Sequence, residues 1–170
     1  MIEALLLLIP AYIANTLPPI LAKIPLLSRW NARLDCKLQF RRKYLFGSHK
    51  TWRGLIGGTL AGGLFFLWQQ ESLLPEIAAD LPFWFGFLVA FGSLLGDFME
   101  SFIKRQLGIR PGKSFAPWDQ SDYIFGAYLL TFWLYWPGWS TFFMVLFLSA
   151  GASMFMHYVG FIFDINKKRI

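Results

Sequence analysis

The chain has 170 residues, 56% of them hydrophobic, 19% aromatic and only 15% charged, with a mean hydropathy of +0.46; this leaves too few polar side chains to clothe a soluble globule. On such a chain a net charge of +6 reads as a sidedness signal at a membrane, and no nucleic-acid partner is expected. The one cysteine, Cys36, excludes an intramolecular disulfide and leaves no thiolate cluster for zinc.

Five apolar stretches, 2–22, 52–70, 82–103, 120–136 and 140–163, are long enough to cross about 30 Å of hydrocarbon, which takes roughly 20 helical residues. They predict an all-α integral membrane protein with five transmembrane helices, organised as a single domain over 1–170. All sixteen Lys and Arg residues fall on one side of these spans: nine between Lys23 and Arg53, then Lys104, Arg105, Arg110 and Lys113, then Lys167, Lys168 and Arg169. The connections 71–81 and 137–139 carry none, and the first holds Glu71, Glu76 and Asp80. The positive-inside rule therefore puts the N-terminus outside and the C-terminus in the cytoplasm of a multi-pass plasma (cytoplasmic) membrane protein. The first span is read as retained, because Glu3 replaces the basic start of a cleavable signal and the apolar run is too long for one.

Between the first two spans, Arg29, Arg33, Lys37 and Arg41 recur every four residues, with Trp30, Leu34 and Leu38 on a neighbouring stripe. This spacing predicts a basic amphipathic helix on an anionic cytoplasmic membrane surface; an ordinary topology-setting loop is the alternative. Gly54, Gly58 and Gly62 in the second span, and Gly92 and Gly96 in the third, have the spacing that lets helix backbones approach closely. Glycine-lined helices also leave a homodimer open.

Asp97 lies inside the apolar third span. A carboxylate there costs roughly 2.5–3.5 kcal/mol on insertion scales, so its default reading is functional. Ser93, Asp97, Ser101, Lys104 and Arg105 project from one stripe of that helix. With the span ending near Ile103, Asp97 sits about 9 Å inside its cytoplasmic end. An ion pair of Asp97 with Lys104 or Arg105 would be a purely structural explanation, but it gives no reason for two further acids nearby. Asp119 and Asp122 follow Pro117 and Trp118 and share a helical face, so with Asp97 they can surround a divalent cation, and Mg²⁺ suits such an oxygen site. Asp119 reads equally as a helix N-cap. Acids for metal beside Lys104, Arg105, Arg110, Lys113, His49, Lys50 and Arg53 are what phosphoryl or nucleotidyl transfer needs. Walker A, GxGxxG, HExxH and GxSxG sequences are absent.

These residues resemble the signature of the CDP-diacylglycerol synthase superfamily. Gly96-Asp97, Ser101, Lys104-Arg105, Gly108, Pro117, Asp119 and Asp122 stand where that superfamily has G-D, S, K-R, G, P and a closing D-R-x-D, and Lys50-Thr51-Trp52-Arg53-Gly54 resembles its K-K-T-W-E-G segment. The short length, the run from Pro10 to Asn15, and Phe46-Gly47 look closer to the archaeal CDP-archaeol synthase branch. Ala116-Pro117-Trp118 replaces the P-G-H-G-G of the longer enzymes, and Asp119-Gln120-Ser121-Asp122 lacks the intervening Arg.

The resemblance implies a reaction of CTP with a lipid phosphate, foremost unsaturated archaetidic acid, to give a CDP-lipid and pyrophosphate on the cytoplasmic side of the membrane. It implies Mg²⁺ held by Asp97, Asp119 and Asp122, with Lys104 joining them as a catalytic residue, and Lys50, Thr51, Arg53, Ser101, Arg105 and Asn15 binding substrate. Phosphatidic acid is the alternative acceptor. A CDP-alcohol phosphotransferase fits poorly, because its D-G-x-x-A-R pattern is missing. A transporter or scaffold would not require acids at both ends of one cationic loop.

Overall fold

The computed structural model describes residues 2–36, 38–40, 43–47, 49–73, 75–109, 115, 118 and 121–162, with side chains for all of these except 75, 77 and 152–162. The first predicted span is two helices in line, α1 (Ile2–Leu7) and α2 (Ile9–Leu21), stepped at Leu8. Pro10 at the start of α2 has no N–H, so the Leu6 carbonyl loses its donor four residues on. Gln69 of α4 (Trp52–Ser72) replaces it, donating from Nε2 to the Leu6 oxygen at 2.7 Å. Between α2 and α4 lie α3 (Pro25–Ser28) and a hairpin of β1 (Gln39–Phe40) and β2 (Lys43–Tyr44); α5 (Pro75–Ala78) precedes α6 (Phe85–Gln106).

Central α6 packs against α7 (Asp122–Thr131), α4 and α2, and α8 (Trp139–Ile162) closes the bundle. The larger core cluster joins Leu7, Ala11, Phe66, Phe85, Val89, Ile124 and Val145; a smaller one, Ala14, Leu55, Ala90, Leu94 and Phe98, lies where α2, α4 and α6 meet. The molecule is mostly helical, and two stretches, Ile2–Leu21 and Phe85–Gln106, are long and apolar enough to cross a membrane. The helix in the predicted fourth span is shorter than 120–136: α7 has 10 residues, about 15 Å, or about half the hydrocarbon thickness.

Helix α6 runs to Gln106, beyond the expected end near Ile103. Gly108 at φ +78° stops it: Gly108 N–H donates to the Arg105 oxygen at 3.1 Å and Ile109 N–H to the Lys104 oxygen at 2.9 Å, the paired bonds of a Schellman turn. Lys43 from the hairpin adds a cation at this negative helix end, donating from Nζ to the Gln106 oxygen at 2.8 Å.

The expected basic amphipathic helix over 29–41 does not form, and the molecule is not purely α-helical. Residues 33–36 make turns, Cys36 has φ +47°, and the hairpin pairs Gln39 with Tyr44 and Phe40 with Lys43. The physical reason is tertiary pairing. Arg33 bridges to Thr51, Leu34 N–H donates to the Lys50 oxygen at 2.9 Å, and Trp52 N–H donates to the Ala32 oxygen at 3.1 Å. The Arg33 guanidinium binds buried Asp35 at 3.0 Å and lies 4.2 Å above the Tyr44 ring, so its charge faces the protein rather than a lipid surface. Lys37 and Arg41 lie outside the described residues.

Candidate functional site

Backbone contact between α6 and α7 gathers the acids. A Cβ on Gly92 would lie 2.5 Å from the Gly126 carbonyl oxygen, and one on Gly96 would collide with the carbonyl group of Asp122. The close approach expected of Gly92 and Gly96 is thus made against α7. It carries Asp122, in the first turn of α7, to the face of α6 that bears Asp97 and, three residues on, Glu100. One carboxylate oxygen from each of Asp97, Glu100 and Asp122 lies within 4.8 Å of the others.

Like charges this close repel unless cations intervene. Lys50 forms an ion pair with Asp97, and Lys104 Nζ stands 2.9 Å from Glu100 Oε1, with only 12% and 6% of those two side chains exposed. Asp97 therefore pairs with Lys50, not with Lys104 or Arg105. Among the described residues no cation forms an ion pair with Asp122, and its Oδ1 accepts from Tyr123 N–H at 2.7 Å. Three acids against two lysines leave a negative remainder, and the all-oxygen donor set is of the kind hard divalent cations take.

The cluster stands between two spaces. On one side is a cavity of about 590 Å³, the polar cavity, which carries the site's polar groups, Asn15, Lys23, His49, Lys50, Thr51, Asp97 and Asp122, beside an apolar wall that includes Pro18, Pro19, Leu55, Leu94 and Phe98. On the other is an apolar groove of about 470 Å³ lined by Met99, Ile103, Phe115, Trp118, Phe125 and Leu129, with Glu100 and Asp122 at its wall. Asp122 borders both. The N-terminal end of the 21-residue α4, capped by Thr51 Oγ1 accepting from Gly54 N–H at 3.2 Å, also faces the polar cavity and adds a positive dipole end.

Of the site residues expected from sequence, Asn15, Lys50, Thr51, Asp97 and Asp122 line the polar cavity, and Lys104 reaches the cluster through Glu100. Arg105 keeps Nε and Nη1 buried without a hydrogen-bond partner among the described residues. Ser101 is buried on α6 and belongs to neither described lining. Arg53 instead braces the backbone. Only 6% exposed, it donates from Nη1 to the carbonyl oxygens of Leu27 at 2.8 Å and Trp30 at 3.3 Å, tying that loop to α4. Asp119 lies outside the described residues. Glu100 was missed, although its three-residue spacing from Asp97 and four-residue spacing to Lys104 were visible signals.

A protein-family model described as CarS-like, CDP-archaeol synthase, matches residues 1–168. The chain belongs to the CDP-archaeol synthase family. Among curated relatives, the CDP-archaeol synthase of Pyrococcus furiosus is 35% identical over 127 residues, covering 74% of this chain and 72% of that protein. That of Methanoregula boonei is 39% identical over 136 residues, covering 78% and 77%. A solved structure of an intramembrane enzyme for archaeal membrane lipids biosynthesis matches with a TM-score of 0.66 at 28% identity, over 95% of this chain and 94% of that one. As a CDP-archaeol synthase family member the chain is a CTP-using cytidylyltransferase of lipid biosynthesis, and a membrane protein.

Within this family frame Arg53 is a test of structure against substrate binding. Removing its guanidinium leaves two loop carbonyls without their donor. Arg53→Ala is expected to cost about 1–3 kcal/mol of stability, read as a lower melting midpoint in detergent with little change in the KM for CTP. A raised KM with unchanged melting would return Arg53 to the substrate.

Proposed function

We propose that this enzyme transfers the cytidylyl group of CTP to the phosphate of a membrane lipid, unsaturated archaetidic acid, with release of pyrophosphate. The observation that carries this reading is the convergence of Asp97, Glu100 and Asp122 at a wall shared by a polar cavity and an apolar groove. The polar side suits a nucleoside triphosphate and the apolar side the lipid, so the reacting phosphates meet at the acids.

A lipid phosphate oxygen attacks the α-phosphorus, a new P–O bond forms, the bond to the β-phosphate oxygen breaks, and the electron pair leaves with pyrophosphate. The lipid phosphate is its own nucleophile, so no Ser or Cys triad is needed. Catalysis rests on positioning and on neutralising charge. Asp97, Glu100 and Asp122, joined by Asp119 as its motif position implies, are the residues that would hold Mg²⁺, whose chemistry is to offset the charge of the triphosphate oxygens. Lys50 and Lys104 hold the acids in register. The positive end of α4, which faces the polar cavity, offers a further contact to phosphate oxygens, whereas Arg105 belongs to neither described lining and is kept as a phosphate ligand only by its motif position.

In this reading the enzyme crosses the cytoplasmic membrane five times as one domain, with its N-terminus outside. Its site lies on the cytoplasmic side, where CTP is available. Purified enzyme given CTP and unsaturated archaetidic acid is expected to release pyrophosphate and form CDP-lipid only when Mg²⁺ is present, to lose this activity in EDTA and to regain it with excess Mg²⁺. Release that survives chelation, or that occurs without a lipid acceptor, would overturn the proposal. Running phosphatidic acid in parallel distinguishes ether-isoprenoid from ester-lipid specificity.

A further inference from the structure

The cavity cations differ in how they are held. Lys50 is tied to Asp97, and outside the lining Lys104 is tied to Glu100. Lys23, exposed and lining the same cavity, has no carboxylate partner among the described residues. Its mount is fixed: Ala22 N–H donates to the Pro18 oxygen at 3.2 Å, Lys23 N–H to the Ile20 oxygen at 2.9 Å, and Arg53 anchors the loop that follows at Leu27. The backbone of Lys23 is therefore held at the cavity wall while its ammonium is uncommitted among the described residues. His49 lines the cavity as well, also without a carboxylate partner among the described residues. Of the two, the ammonium is the stronger ligand for phosphate.

We propose that Lys23 binds the terminal phosphates of the nucleotide, the part that departs as pyrophosphate. This rests on the reading of the polar cavity as the CTP site. The α-phosphorus must sit near the acid wall, because only there can it meet a lipid phosphate arriving from the apolar groove. Lys23 belongs to the turn after α2, lines the cavity while exposed to solvent, and is absent from the described lining of that groove, which sets it apart from the acceptor side. A pyrophosphate group must leave into water, and a compact charge on a flexible four-carbon stem can follow it outward in a way that the ion-paired Lys50 and Lys104 cannot.

The test compares wild type, Lys23→Ala and Lys23→Arg by steady-state kinetics, varying CTP and lipid phosphate separately, with pyrophosphate added as product inhibitor. Lys23→Ala is expected to raise both the KM for CTP and the inhibition constant of pyrophosphate about tenfold, to leave the KM for lipid phosphate unchanged, and to be largely rescued by arginine. Unchanged CTP and pyrophosphate constants would overturn the inference, as would a rise confined to the lipid-phosphate KM, which would assign Lys23 to the acceptor. Should alanine lower the melting midpoint, Lys23→Gln, which keeps most of the stem, carries the same comparison. A wild-type enzyme that makes no CDP-lipid from CTP defeats the functional reading itself; an active wild type beside an indifferent Lys23 variant defeats only this inference.

Discussion

Asp97→Asn is expected to lower turnover by about three orders of magnitude while the protein stays folded. The substitution is nearly isosteric and removes one negative charge from the triad that Asp97 forms with Glu100 and Asp122. It also deprives Lys50 of its anion. Lys50 and Asp97 are mostly buried, with 20% and 30% of their side chains exposed, so leaving the ammonium without its anion should cost about 1–3 kcal/mol. Turnover of CTP with saturating lipid phosphate, read beside a melting curve in detergent, separates the two effects. An Asp97→Asn enzyme with undiminished turnover would remove this carboxylate from the reaction.

The second large effect is steric. Gly96→Ala puts a methyl group into the carbonyl of Asp122, and backbone cannot swing aside as a side chain does. The helices must separate, at a cost of about 1–3 kcal/mol, and the acids of α6 and α7 then lose their register. A displacement near 1 Å in a catalytic constellation lowers rate by about 100-fold, so activity should fall further than stability. Gly151→Ala is the matched control, since a Cβ there meets nothing within 4 Å among the described residues. Equal activity in the two variants would show that the α6–α7 contact does not set the site.

The mostly helical character was legible because long apolar runs leave few alternatives, and the pairing of α6 with α7 was foreshadowed by Gly92 and Gly96. Asp97 stood out because an acid inside an apolar run needs an explanation, and Asp122 because its three-residue spacing from Asp119 puts both acids on one helical face. Glu100 was less visible because it sits close to the expected helix end near Ile103, where a charge reads as ordinary interface. Because α6 continues to Gln106 before the Schellman turn at Gly108 stops it, Glu100 and Lys104 stand one helical turn apart as a largely buried pair. The segment from Arg29 to Arg41 misled for the opposite reason. Its four-residue spacing is a local signal, whereas the bridge from Arg33 to Thr51 and the bonds of Arg33 to Asp35 and Tyr44 come from residues that periodicity does not weigh. Arg53 likewise lies in a motif associated with substrate, and only the folded loop discloses the carbonyls it holds.

The proline step in the first span bears on biogenesis. In hydrocarbon no water can stand in for a missing backbone donor, and the Leu6 oxygen finds its donor in Gln69, 63 residues later in the chain. On emerging from the ribosome, the opening helical segment is thus chemically incomplete until its neighbour has been synthesised. In the proposed five-span reading the two segments would enter the bilayer as a pair, with the amide of Gln69 as the clasp.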